Sequence, residues 1–243
     1  RLSRLRDKVQ LLADAGVDQV LCLAFNQRLR ELSASAFVQA VLVDGLGVKH
    51  LEIGDDFRFG CDRSGDFAFL QQAGAAAGFT VEEAATVELN GSRVSSTRVR
   101  EALQAADFVE AEHLLGRPFA IAGRVVHGQK LGRQLGAPTA NVQLKRHRVP
   151  LNGVFLVSME LEGVLQPGVA NIGVRPSVKA DGFAHLEVHL LDFAGDLYDR
   201  RVSVVFHHKL RDEQRFASLE ALKSAIAADV VAARAYWQAQ LNS

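Results

Sequence analysis

The apolar pattern of this chain changes period around Gly116 to Ala122, and different folds are expected on the two sides of that change. Upstream, helical and strand-like stretches alternate. Leu2, Leu5, Val9 and Leu12 recur at helical spacing until Gly16, and Val20 to Phe25 is a continuous apolar run that reads as a strand. Phe37 to Leu46 reads as a helix, Leu51 to Gly54 as a short strand, Phe67 to Ala77 as a helix and Thr80 to Val87 as an extended segment. Such alternation predicts a parallel sheet covered on both faces, with ligands at the carboxyl ends of its strands. A helix over Asp107 to Leu115 precedes the change.

Downstream, Phe119 to Val126, Gly153 to Leu161, Leu186 to Phe193 and Arg201 to Phe206 read as strands, punctuated by glycines and by Pro150, Pro167 and Pro176. Many short strands with turn signals predict a closed or nearly closed antiparallel barrel, which removes unpaired edges. Ser218 then reads as an N-cap. Leu219, Leu222, Ile226, Val230, Ala233 and Trp237 follow at three- and four-residue spacing, as a closing helix packed on the barrel requires. Trp237 is read as core or interface. Two domains are expected, 1–115 and 116–243.

A chain of 243 residues can bury a core in each half. Lysine plus arginine equals aspartate plus glutamate, 28 of each, so no nucleic-acid or anionic-membrane partner is expected. No apolar run is long enough to span a bilayer and no signal peptide is seen, so the expected location is the cytoplasm. Cys22 and Cys61 make neither a disulfide framework nor a zinc site.

The stretch from Gly128 to Asn141 carries the most chemistry. Gly128, Gly132 and Gly136 allow backbone N–H groups to face an anion, and Lys130 and Arg133 add positive charge. Thr139 and Asn141 offer neutral oxygens two residues apart, which suits Mg²⁺ that keeps nucleotide phosphates among its ligands. A glycine-rich hairpin with a proline turn explains the same residues, and no Gly-Lys-Ser/Thr closes a Walker A loop.

Residues 123–206 resemble the riboflavin kinase module. The resemblance rests on Pro138-Thr-Ala-Asn141, Gly153-Val-Phe155, Asn171-Ile-Gly-Val-Arg-Pro176, Glu187-Val-His189 and Leu191-Asp-Phe-Ala-Gly-Asp-Leu-Tyr198, in that order. Residues 1–115 look like the second part of the nucleotidyltransferase module that bacteria fuse to this kinase, in the bifunctional riboflavin kinase/FMN adenylyltransferase (FAD synthetase) family. The fold this implies is a Rossmann-like parallel sheet with its first strand missing, then a six-stranded antiparallel barrel with a C-terminal helix.

The resemblance implies ATP-dependent phosphorylation of riboflavin to FMN and adenylylation of FMN to FAD, with Mg²⁺ as cofactor. Riboflavin, FMN and ATP/ADP are the expected partners, and self-association is left open. Glu187 is the implied base toward the ribityl hydroxyl, with His189 in support. Period two puts His185, Glu187 and His189 on one face, which an outward polar stripe explains equally well. Gly128, Lys130, Gly132, Thr139 and Asn141 are the implied ATP site, with Thr139 and Asn141 on the metal. Asn171, Arg175 and Arg211 are implied on the flavin side. Their alternatives are a tight turn at Asn171 and salt bridges from Arg211 to Asp212 or Glu213.

In the first half, Ser95-Ser-Thr-Arg-Val-Arg100 matches the family's Ser-Ser-Thr-x-x-Arg signature, with Ser96 or Thr97 expected to cap a helix and Arg98 and Arg100 as candidate cations. Gly54-Asp-Asp-Phe-Arg-Phe-Gly60 matches a block of the nucleotide and flavin cleft, with Asp56 at a motif position. The adenylyltransferase residues are thus Asp56, Ser95, Ser96, Thr97 and Arg100. A capped helix with surface arginines and an exposed strand-end turn are the alternatives. The family's His-x-Gly-His has no counterpart in residues 1–115, so impaired adenylylation is expected of this chain. After Tyr198 the family usually has Gly where Asp199 stands, so a different local turn is expected. From another class, a flavin- and nucleotide-binding module without turnover fits many of the same residues.

Overall fold

The helical spacing of Leu5, Val9 and Leu12 produces α1 (Leu5–Asp14) in a computed structural model that describes residues 2–128, 138–145, 149–174 and 184–241. The chain divides into two compact units, Arg1–Leu12 with Ser95–Ser243, and Ala13–Val94. Among the described residues, no helix is long and apolar enough to cross a membrane.

In the smaller unit, side-chain caps set the helix starts. Asn26 opens α2 (Gln27–Arg30) and Ser33 opens α3 (Ala34–Phe37), each accepting from a backbone N–H three residues on. α3 continues as a π-helix, Val38–Val43, so the helix expected at Phe37 starts earlier and winds more loosely. β1 (His50–Ile53) pairs in parallel with β2 (Thr80–Glu83), and α4 (Phe67–Ala77), capped by Asp66, lies between them in sequence. β3 (Glu88–Leu89) and β4 (Ser92–Arg93) form a hairpin across Asn90-Gly91, whose φ values of 54° and 69° are those of a two-residue type I′ turn. Phe59 centres the core, with the rings of Phe37, Phe57 and Phe69 at 5.3, 5.5 and 5.9 Å.

The expected strand at Val20 to Phe25 does not form. The segment is unpaired, and Phe25 is 79% exposed. An apolar run supplies the side chains of a buried strand but not the hydrogen-bonding neighbour, and among the described residues β1 and β2 pair only with each other.

In the larger unit, α5 (Ser96–Gln104) and α6 (Phe108–Leu115) precede β5 (Ala120–Val126), β6 (Ala140–Gln143), β7 (Gly153–Leu161), β8 (Val164–Val174), β9 (Ala184–Leu190) and β10 (Arg201–Arg211). These six strands close into an antiparallel barrel in the order β5-β6-β9-β8-β7-β10. β6 and β8 were given no bounds in the sequence, where six strands were implied only by the resemblance, and Asn171, for which a tight turn was the alternative, lies within β8. β6 is short, and β8 contains Pro167 and Gly168, which read as a break. Phe155 and Phe206 meet edge to face at 5.5 Å, and Phe108 of α6 packs on both. Each such pair adds about 0.5–1.5 kcal/mol beyond the area it buries.

Ser218 caps α7 (Leu219–Leu241) by accepting from the Ala221 N–H at 3.1 Å. Ala233 of α7 packs with Val154, Leu156, Val169 and Leu191, flanked by Val230, Tyr236 and Trp237. Two ion pairs of opposite sense tie the helix down. Arg211 of β10 is bidentate on Asp229 of α7, and Arg234 of α7 is bidentate on Asp192 after β9. At the other end of the chain, Asp7 bridges Arg4 and Arg201, while Arg4 also donates to the Ala122 carbonyl of β5 at 2.6 Å.

His207 of β10 lies against α7, its ring edge to face with Trp237 at 4.9 Å and its Nε2 2.8 Å from Ser158 Oγ. Burial lowers its pKa below the usual 6.5, and Glu112 opposes that only partly. The unfolded chain therefore takes up this proton at a higher pH than the folded one. The associated stability is present above pH 6.5 and is lost as pH falls through the folded pKa. Urea unfolding followed by fluorescence of the single tryptophan should give midpoints that fall between pH 7 and 5. In His207→Gln that dependence should flatten. An equally steep dependence in the variant would place the proton uptake elsewhere.

Candidate active site on the outer face of the barrel

Strand register carries one row of side chains around the outside of the barrel. Asn141 of β6 opposes Glu187 of β9, Glu187 opposes Asn171 of β8, Asn171 opposes Val154 of β7, and Val154 opposes Arg211 of β10. Directly opposed residues of antiparallel strands point to the same face, with Cα atoms about 4.5–5.5 Å apart. The face is the outer one, because Val154 and Leu156 on it pack against α7. The alternate residues of β9, Leu186 and Val188, are buried on the other side. Glu187 is thus half-buried between two asparagine side chains on the same surface as His185 and His189, an outward polar row.

Two local contacts shape the β6 end of this row. His189 is 2.9 Å through Nδ1 from the Pro138 carbonyl. A carbonyl only accepts, so Nδ1 carries the proton, and the ring anchors the chain entering β6 to β9. Gly128 lies against the carboxamide of Asn141, and a β-carbon there would collide with that group. Glycine at 128 therefore lets the backbone approach Asn141 closely. Cavities flank β6. One of about 380 Å³ is lined by Thr139, Val188, Leu190 and Tyr198, and one of about 450 Å³ by Gly128, Asn141, Gln143 and His185. The rings of His127 and Tyr198, one from each lining, meet at 3.9 Å.

Gly128, Thr139, Asn141, Asn171, Glu187 and Arg211 thus all lie in the larger unit, and all but Gly128 and Thr139 belong to one register row. Lys130, Gly132 and Arg175 lie outside the described residues. Asn171 Oδ1 is buried and has no hydrogen-bond partner among the described residues, a rare condition for a buried acceptor. Arg211 is held neither by the Asp212 side chain nor by Glu213. Its Nε and Nη2 reach Asp229 at 3.0 and 2.8 Å, its Nη1 donates to the Asp212 carbonyl, and its guanidinium lies 5.6 Å from the Phe216 ring centre. Asp229 was missed in the sequence, although an aspartate within the apolar stripe of the last helix was a readable signal. Asp199 has φ 61°, the left-handed conformation that glycine takes most readily and aspartate tolerates.

The adenylyltransferase candidates fall in both units. Ser95 caps α5 by accepting from the Arg98 N–H at 3.3 Å, so Ser96 and Thr97, expected as caps, are the first residues of the helix instead. Arg98 is paired to Glu110 at 2.9 Å, while Arg100 is half-buried on α5. In the smaller unit Asp56 sits in the turn after β1, exposed, with Arg93 at 3.9 Å and Arg93 closer to Asp55.

Known families fit this arrangement. The riboflavin kinase family model matches residues 115–237 and the FAD synthetase model matches residues 1–98. The bifunctional riboflavin kinase/FMN adenylyltransferase of Pseudomonas fluorescens is 77% identical over 90% of this chain and 71% of its own length. That of Escherichia coli K12 is 52% identical over 98% of this chain and 76% of its own. The solved structure of a protein named as a macrolide-efflux protein from Streptococcus pneumoniae aligns with a TM-score of 0.78 at 30% identity, covering 96% of this chain and 75% of that one. With its six-stranded barrel, its outer row centred on Glu187 and these relatives, the chain belongs to the family of bifunctional riboflavin kinase/FMN adenylyltransferases.

Proposed function

We propose that the chain acts in FAD biosynthesis, phosphorylating riboflavin to FMN with ATP on the outer face of the barrel, as the names of its relatives suggest. The observation that carries this reading is the register row Asn141–Glu187–Asn171, which holds a carboxylate between two amide side chains beside a glycine-backed cleft. Glu187 is the general base that takes the proton of the terminal ribityl hydroxyl as its oxygen bonds to the γ-phosphorus of ATP and the bond from that phosphorus to the β-phosphate oxygen breaks, releasing ADP. Such transfer is mostly positioning and charge stabilisation, so a small set of residues suffices.

Thr139 and Asn141 supply neutral oxygens toward a Mg²⁺ that travels with the nucleotide phosphates. The fit is chemical: a hydroxyl and an amide oxygen with phosphates suit Mg²⁺ better than a cage of carboxylates, and Gly128 brings backbone, without a side chain, against the Asn141 carboxamide. The metal neutralises phosphate charge when bound. The backbone near Gly128, with Lys130 and Gly132, is assigned to the phosphates, and the cavity between Thr139 and Tyr198 is of a size for the nucleotide base. Asn171, Arg175 and Arg211 belong to the flavin side, where the buried Asn171 Oδ1 can accept from a substrate hydroxyl or N–H. Residues 116–243 form the kinase part. Residues 1–115, with Asp56, Ser95, Ser96, Thr97 and Arg100, belong to the part that adenylylates FMN. The work is assigned to the cytoplasm, in keeping with the absence, among the described residues, of a helix long and apolar enough to cross a membrane.

Glu187→Gln should lower riboflavin-dependent turnover by roughly 10²- to 10⁴-fold while nucleotide binding stays near wild type. Unchanged turnover would remove Glu187 from the chemistry. Asn141→Ala should raise the KM for Mg-ATP by roughly tenfold, the value of one good polar contact. A titration without change would contradict the metal assignment. A binding module without turnover would consume no ATP even with riboflavin present, whereas the kinase consumes ATP only when riboflavin is present.

A further inference from the structure

Glu213 is a carboxylate near the proposed site that the phosphoryl transfer itself does not use. Gly173 lies two residues beyond Asn171 on β8, hence on the same outer face, and it opposes His185 of β9. The side chain of Glu213, from the segment after β10, lies directly over it. A β-carbon placed on Gly173 would be 2.5 Å from Glu213 Oε2 and 3.0 Å from Oε1, so only glycine lets the carboxylate rest on the strand. Glu213 is thereby held one step along β8 from the asparagine that opposes Glu187, while remaining exposed to a ligand.

The segment bearing Glu213 is held by Arg211 and Asp229. Asp229 is 8% exposed and occupies the apolar stripe of α7 between Ile226 and Ala233. A carboxylate there costs desolvation, and a buried ion pair seldom stabilises more than an apolar side chain would. The pair nevertheless directs all three guanidinium nitrogens. Nε and Nη2 bind Asp229, and Nη1 binds the Asp212 carbonyl, immediately before Glu213. The guanidinium also faces Phe216 at 5.6 Å, at the far end of the same segment. With one donor on each nitrogen engaged, Arg211 fixes the course of residues 212–216.

We propose that Glu213 is a substrate-binding residue that accepts hydrogen bonds from hydroxyls of the flavin polyol arm, and that Asp229 and Arg211 are positioning residues that hold it there. This rests on the kinase reading above. An ionised carboxylate only accepts, so it suits a ligand that presents hydroxyl donors and disfavours a phosphate. The arm must run along the outer face for its terminal hydroxyl to reach Glu187, and Glu213 lies beside that path.

Steady-state kinetics of the 243-residue chain test this, with riboflavin and ATP varied separately. Glu213→Gln should raise the KM for riboflavin roughly tenfold or more and leave the KM for ATP within about twofold, because a charge-assisted contact to only one substrate is lost. Gly173→Ala, whose methyl group displaces the same carboxylate, should do likewise. Asp229→Asn should raise the KM for riboflavin by a smaller factor, and Asp229→Asn combined with Glu213→Gln should be no worse than Glu213→Gln alone, as for two residues acting through one contact. A riboflavin KM unchanged in Glu213→Gln, with FMN formed by the wild type, overturns this inference and leaves the kinase reading standing. Multiplying effects in the double variant would make Asp229 merely structural and overturn the positioning role. Absence of FMN from the wild type would overturn the kinase reading and this inference with it.

Discussion

Closure of the six-stranded barrel is the constraint on which the proposed site depends. Because β9 is hydrogen-bonded to β6 on one side and β8 on the other, Glu187 has no choice of neighbours: register sets Asn141 and Asn171 beside it. A slip of one residue would turn Glu187 into the core and Leu186 or Val188 out to solvent, at a cost set by burying a carboxylate and exposing an apolar side chain. The aromatic interior of Phe155 and Phe206 thus specifies the polar exterior. Core and site are two faces of one set of hydrogen bonds.

The C-terminal helix extends this logic. Its apolar stripe covers β7 and β8, and its two arginine–aspartate pairs, Arg211 with Asp229 and Arg234 with Asp192, fix the helix to segments at opposite ends of the barrel strands. The barrel face left uncovered by α7 is the one bearing Asn141, Glu187 and Asn171. A helix that stabilises the barrel therefore also borders its polar row, and Arg211 belongs to both functions.

Much of this was legible in the residues. Period two predicted β5, β7, β9 and β10, and the three- and four-residue spacing with Ser218 predicted α7, because those patterns report directly which side of an element is buried. β8 was hidden by Pro167 and Gly168, which a barrel strand tolerates and a sequence pattern does not. Val20 to Phe25 failed in the opposite sense, since an apolar run names no partner. Of the proposed site, Glu187, Asn141 and Asn171 could be named from ordered motifs, but their common row could not, because register joins Asn141 to Glu187, 46 positions away, through a pairing that no local spacing encodes. Asp229 was passed over because the charge of a helix residue does not reveal that its partner comes from a barrel strand.

The most direct measurement is chromatographic separation of riboflavin, FMN and FAD after incubation of this chain with riboflavin, ATP and Mg²⁺. The account predicts FMN, formed only when both ATP and Mg²⁺ are present. Riboflavin recovered unchanged from correctly folded protein would contradict it.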